Sequence, residues 1–217
     1  MKEIISYSPA MLKAFEHCPT KFEYRYIKEI NIPINTFNTQ QGKNIHALAN
    51  YYLKNNNIVK LEKVLTKNEQ LLWNNLKNNK YFNYEIIQSE YNISSRVGEY
   101  WINGRLDALV KNNDEYFILD YKTGQIPQNP ELDYQTMVYL LAASKFLENY
   151  DELYFVYIDL KNNTNKIIKF DDKLKNIYKE KIINISAEIE KCTKHNIYKA
   201  NCKNFACEYS KFCQQES

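Results

Sequence analysis

Two short stretches hold the residue types that do chemistry. One reads Gly104-Arg105-Leu106-Asp107-Ala108, the other Ile118-Leu119-Asp120-Tyr121-Lys122-Thr123-Gly124. Between them lie Asn113 and Asp114, residue types that tolerate left-handed backbone and suit a two-residue turn. A turn there pairs Asn112 with Glu115 and places Asp107 opposite Asp120, with Cβ atoms about 5 Å apart. Carboxylates facing each other inside a sheet repel, and a shared proton or a bound cation relieves the repulsion. Asp120 and Lys122 are two apart on one strand, so they project to one face. Oxygen donors of this kind suit magnesium or manganese. A lysine beside them can orient a water or stabilise charge developing on a phosphate. The competing reading is a surface hairpin closed by a salt bridge. The flanking Ile102, Leu106, Ala108, Val110, Phe117 and Leu119 are core residue types and weigh against a surface location.

A second chemical signal is the cysteines. Four of the five, Cys192, Cys202, Cys207 and Cys213, fall in the last 26 residues, while Cys18 stands near the start. In a chain with no export signal such clustering reads as metal binding before disulfides. The three histidines are His17, His46 and His195, and no nucleophile elbow surrounds any serine.

The elements that must position these residues follow from periodicity. Ser8-Pro9 opens a helix expected to run through Tyr26, and a second covers Thr39 to Leu53. A third, Asn-rich and amphipathic, covers Val59 to Leu76. The pattern then changes to period two, with strands over Tyr84–Ser94, Gly98–Lys111 and Glu115–Lys122, the last apolar on both faces and so central. Asn129 is the expected cap, and Pro130 the first residue, of a helix reaching Leu147. Strands at Leu153–Leu160 and Lys166–Phe170 precede a long helix over Asp172–His195 and the cysteine-rich tail. The expected fold is mixed α/β (α+β): a helical front end at 1–80, a sheet core at 84–170, and a helix with its tail at 172–217, together one domain.

Composition excludes several classes. The 217 residues carry a formal charge of +3, too mild to demand a nucleic-acid partner. Four glycines cannot spell a dinucleotide fingerprint or a P-loop. No apolar run reaches the roughly 18 to 20 residues of a membrane span. The start lacks a secretion signal, so a cytoplasmic location is expected. The abundant Asn reads as a genome bias and marks solvated surfaces.

Asp107, twelve intervening residues and then Asp120-Tyr121-Lys122 resemble the PD-(D/E)XK nuclease superfamily. The wider set is similar to its RecB-like branch, which includes the AddB nuclease domain and exonucleases of CRISPR adaptation. Gln41-Gly42-Lys43-Asn44-Ile45-His46 resembles the branch's helix-borne histidine. Glu90 resembles the acid on the strand before the hairpin, and Gln135-Thr136-Met137-Val138-Tyr139 the Gln-x-x-x-Tyr motif. Phe15-Glu16-His17-Cys18-Pro19 with the terminal cysteines resembles the branch's iron–sulfur frame.

The resemblance implies a restriction-endonuclease-like core with a mixed sheet of about five strands flanked by helices. It implies a magnesium or manganese ion held by His46, Asp107, Asp120 and the Tyr121 carbonyl, with Lys122 activating water and Gln135, Tyr139 and Glu90 assisting. It also implies a [4Fe–4S] cluster on Cys18, Cys202, Cys207 and Cys213. Four residues separate Cys202 from Cys207 where the branch has two, so Cys192 as substitute and zinc as the metal stay open. The implied activity is phosphodiester hydrolysis on single-stranded DNA by an exonuclease or end-processing enzyme. A separate helicase, recombination or CRISPR-adaptation partner would supply unwinding. A non-catalytic DNA-binding or scaffold module and a sequence-specific restriction-type endonuclease are the alternatives. Tyr121, Tyr134 and Tyr139 are expected near the site as stacking platforms for bases.

Overall fold

The computed structural model describes residues 4–32, 37–55, 57–147, 149–201 and 207–213. Ser8 caps the first helix, its hydroxyl accepting the Met11 amide at 3.3 Å. The helix expected to reach Tyr26 stops early: α1 is Pro9–His17 and α2 is Pro19–Phe22, followed by a wider π turn over Glu23–Ile27. Cys18 between them is extended (φ −162, ψ 112). Pro19 causes this, because a proline disfavours helical backbone at the residue before it. Helix α3, Phe37–Leu53, lies where periodicity puts it. The Asn-rich helix is in fact two, α4 (Val59–Glu62) and α5 (Lys67–Lys77). Thr66 and Glu69 form a capping box that starts α5 afresh.

Five strands follow: β1 Glu85–Val97, β2 Tyr100–Asn112, β3 Glu115–Lys122, β4 Glu152–Asp159 and β5 Thr164–Phe170. They form one mixed sheet in sequence order, with β3 and β4 parallel and the other neighbours antiparallel. A parallel step needs a crossover, which α6 (Tyr134–Phe146) supplies. Asn129 does not cap this helix. Pro130–Leu132 is a single tight turn, and Asp133 is the cap, its carboxylate accepting the Gln135 amide at 2.9 Å. Gln135 therefore sits in the first turn of α6. Helix α7, Asp172–His195, matches its expected range and ends on a left-handed Asn196 (φ 54).

The sheet is covered on both faces. Leu106, Ile118 and Phe155 face α1, α6 and α7. Ala108, Leu119 and Ile158 face α3 and α5, with Ile45 and Trp73 among their neighbours. Burial on both sides explains the continuous apolar run of β3, each such side chain contributing roughly 1.5–3 kcal/mol. The tail returns to the front end. Tyr209 and Phe212 of the tail pack on Tyr24, ring centroids 5.7 and 5.9 Å away. The Tyr209 hydroxyl also donates to the Ile30 carbonyl at 3.0 Å.

Candidate active site

The hairpin turn is where its sequence places it, with Asn113 in the left-handed region (φ 54). The β2–β3 register runs from Asn112–Glu115 to Ala108–Leu119. One more step in this register sets Asp107 opposite Asp120, but the ladder stops short of it. Asp107 reaches across instead, and its Oδ2 accepts the Tyr121 amide at 2.9 Å. On the other side, β1 and β2 pair at Ser89–Ala108 and Tyr91–Leu106, passing over Glu90 and Asp107. Glu90 holds φ 49, a conformation costly for a residue with a side chain and common at functional sites. Glu90, Asp107 and Asp120 thus form one row across three strands.

Helix α3 brings His46 to this row. Ile45 and Leu48 anchor the helix in the core, Asn44 donates to Glu69 at 2.7 Å, and Ser89 donates to Asn50 at 2.7 Å. His46 Nδ1 lies 3.0 Å from Asp107 Oδ1, and Nε2 lies 3.0 Å from the Tyr121 carbonyl. Both neighbours are acceptors, a demand only the imidazolium meets with both nitrogens. Burial disfavours that cation, but the Asp107 hydrogen bond and charge, the Asp120 charge and the Tyr121 carbonyl outweigh it, raising the pKa to about 9.

Asp120, Lys122 and Gln135 form a closed ring. Lys122 Nζ lies 2.8 Å from Asp120 Oδ2 and donates to Gln135 Oε1 at 3.0 Å. Gln135 Nε2 donates to Asp120 Oδ1 at 2.5 Å. Asp120 is 3% exposed, and its Oδ2, though ion-paired, has no aligned hydrogen-bond donor. Its pKa is raised, first by burial and then by Asp107, against the opposing pull of Lys122. Tyr139, one turn after Gln135, is buried with its hydroxyl beside the Arg105 backbone and the Gln135 side chain.

A divalent cation fits these residues. An imidazole, carboxylates and a backbone carbonyl are its donor types, and Asp120 Oδ2 is a buried anionic oxygen facing the Lys122 ammonium. Donor atoms of His46, Glu90 and Asp107 lie within 4.8 Å of one another. Asp120 falls outside that cluster, being drawn toward Lys122 and Gln135. Glu90 faces two ways, with Oε2 2.5 Å from Arg105 Nε and Oε1 4.0 Å from His46 Nδ1.

The three tyrosines expected as stacking platforms are not available for it. Tyr121, Tyr134 and Tyr139 are all buried, Tyr134 and Tyr139 on the α6 side of the sheet, and Tyr121 on the other face against His46 and Phe82. Arg105, two residues before Asp107, is an exposed cation at the site whose isolated charge carried no signal in the sequence. Cys18 is buried and its sulfur accepts the Asn201 amide at 3.5 Å. Cys192, Cys207 and Cys213 are half-buried, and Cys202 lies outside the described residues.

The model of the PD-(D/E)XK nuclease superfamily matches residues 6–214. The chain belongs to that superfamily. As a member it carries a nuclease fold, and its sheet with flanking helices is the restriction-endonuclease-like arrangement. A "Putative exonuclease" from Eubacterium rectale aligns over 95% of this chain and 88% of its own, at TM-score 0.63 and 10% identity, a likeness of fold. The protein SSO0001 aligns over 100% and 89% at TM-score 0.49 and 20% identity. No curated protein sequence matches the chain.

Proposed function

We propose that this nuclease-superfamily chain is a metal-dependent deoxyribonuclease of the RecB-like branch, an exonuclease or end-processing enzyme on single-stranded DNA. The observation that carries it is the ring of Asp120, Lys122 and Gln135 set beside the His46–Asp107 pair. A buried acid held against a lysine and an amide, beside a histidine–acid pair, suits catalysis better than a scaffold role.

His46, Asp107, Asp120 and the Tyr121 carbonyl would hold magnesium or manganese. Bound there, the ion would act as Lewis acid and lower the pKa of a coordinated water. His46 bridges Asp107 and the Tyr121 carbonyl, and as a ligand it would present a neutral ring nitrogen to the ion. Lys122 orients the water and offsets charge growing on the phosphate, a role that requires its ammonium to be held in place. Gln135 holds it, accepting from Lys122 while donating to Asp120. Tyr139 packs behind Gln135 as a positioning residue. Glu90, ion-paired with Arg105, assists by fixing that cation at the mouth of the site.

The docked tail supports a structural cluster on Cys18, Cys202, Cys207 and Cys213, [4Fe–4S] or in its place zinc. The Cys18 sulfur already meets the returning chain at Asn201. DNA is the proposed substrate, with a helicase, recombination or CRISPR-adaptation protein as a separate partner. Among the described residues no helix is long and apolar enough to cross a membrane.

The test is digestion of 5′- and 3′-labelled single and double strands with magnesium or manganese, with Asp120→Ala as control. Nucleotide release from one end supports the exonuclease reading. Discrete internal cuts select the restriction-type alternative, and DNA binding without cleavage selects the scaffold module.

A further inference from the structure

A cleft of about 790 Å³ opens directly beside the lysine end of β3. Its position is set by the sheet. Lys122 pairs with Asp159 in the parallel β3–β4 ladder, and the Leu160 amide donates to the Lys122 carbonyl at 2.9 Å. Thr123 and Gly124 leave β3 along one wall, and the β4–β5 turn at Asp159, Lys161 and Asn162 forms another. Helix α3 closes the side toward His46, where Gly42 packs so closely on Thr123 that an added Cβ would sit 3.2 Å from its hydroxyl.

The lining is unusual in kind. Its lining residues include five with amide side chains, Gln41, Asn68, Gln125, Gln128 and Asn162, together with apolar Leu72 and Ile126. Among the described lining residues the one carboxylate, Asp159, is taken up by its own turn, accepting from the Lys161 and Asn162 amides and the Asn162 side chain. Lys161 is the single cation among the described residues of the lining. The sequence is rich in Asn, so the two asparagines alone would mean little. Glutamine is not enriched: of nine in the chain, three line this cleft and a fourth, Gln135, holds the catalytic lysine.

An amide donates and accepts at once, and so matches the edge of a nucleobase rather than a phosphate, which only accepts. Apolar side chains can cover the base's faces. We infer that this cleft is a nucleobase subsite, holding the base of a nucleotide next to the scissile phosphate through Gln125 and Gln128, with Ile126 against its face. This inference rests on the nuclease reading and deepens it. Sequence preference of cleavage is then set on the lysine side of the site by glutamines, which touch neither Asp107 nor Asp120.

The experiment walks a single abasic residue along an otherwise constant single-stranded DNA and measures kcat/KM at one labelled phosphodiester. Wild type and a Gln125→Ala/Gln128→Ala variant are compared in magnesium. Both glutamines are exposed, so the variant keeps its fold, as circular dichroism would confirm. For wild type the expected result is a roughly tenfold penalty at one fixed offset from the cut, the size of one lost bidentate base contact. The variant cuts the intact strand more slowly and loses the offset-specific penalty, as a double-mutant cycle requires. Asn68→Ala, on the opposite wall, reduces the same penalty. A flat abasic profile in wild type, or a penalty that survives in the variant, overturns the subsite while leaving the nuclease reading intact. Wild-type protein that neither binds nor cuts DNA overturns both.

Discussion

The ring of Tyr139 occupies the space where a side chain on Gly104 would have to be. A Cβ built on Gly104 falls well inside van der Waals distance of the Tyr139 ring carbons. The backbone of β2 and the helix carrying Gln135 therefore touch through an aromatic ring, three residues before Asp107. Gly104→Ala must push Tyr139 away. Overpacking of this kind costs about 1–3 kcal/mol, read as a lower urea midpoint. Cleavage should fall as well, because Gln135 moves with the ring. Tyr139→Ala should relieve the stability cost of Gly104→Ala, and strict additivity of the two changes would contradict the contact.

Asp120→Ala and Lys122→Ala should each lower cleavage by orders of magnitude. On the proposed mechanism, loss of the acid would remove a metal ligand, and loss of the lysine would leave water poorly oriented. Gln135→Ala should fall between these and wild type, since it holds both groups in place. Wild-type rates in any folded Asp120 or Lys122 variant would sink the assignment.

Magnesium should raise the melting temperature of wild type by mass action. The shift should be smaller in Asp107→Asn and Asp120→Ala. From sequence, facing acids suggest that neutralising Asp107 stabilises the metal-free protein. The structure reverses this, because Asp107 accepts from both His46 and the Tyr121 amide. Metal-free Asp107→Asn should melt below wild type, and a higher melting point would show that repulsion dominates.

Thr66→Ala should cost about 1 kcal/mol by removing the cap of α5. Glu69 shares this cap, and its pKa is lowered first by the Asn44 hydrogen bond and then by Thr66. A depressed folded pKa adds stability that is present above the unfolded value and lost as pH falls through the folded one. Wild type should therefore lose more stability than Glu69→Gln on acidification below about pH 4.5. Parallel melting curves over that range would remove Glu69 from the account.

Protein purified without oxygen should be brown and contain iron if Cys18, Cys202, Cys207 and Cys213 hold a cluster, and Cys18→Ser should lose the colour. Bound zinc in colourless protein would select the other metal. With neither metal, the tail would be held by contacts such as the Tyr24–Tyr209–Phe212 rings, the Tyr209–Ile30 hydrogen bond and the Lys21–Glu208 ion pair.

The local parts of the site were legible from spacing. The turn at Asn113, the β3 limits and the shared face of Asp120 and Lys122 follow from period-two geometry, which depends only on neighbours along the chain. Helix ends were less legible. Pro19 and the Thr66–Glu69 box cut two expected helices because a local cap outweighs a continuing apolar stripe. The relations between elements required the tertiary structure. Asp107 turning from Asp120 toward the Tyr121 amide, His46 charged between two acceptors, and Glu90 drawn to Arg105 all depend on burial and on donors from distant segments. The tyrosines show the same limit. Sequence marks them as aromatic beside the site, but only the packing of helices on both faces of the sheet, with α6 carrying Tyr134 and Tyr139 and α3 over Tyr121, decides that they face the core rather than DNA.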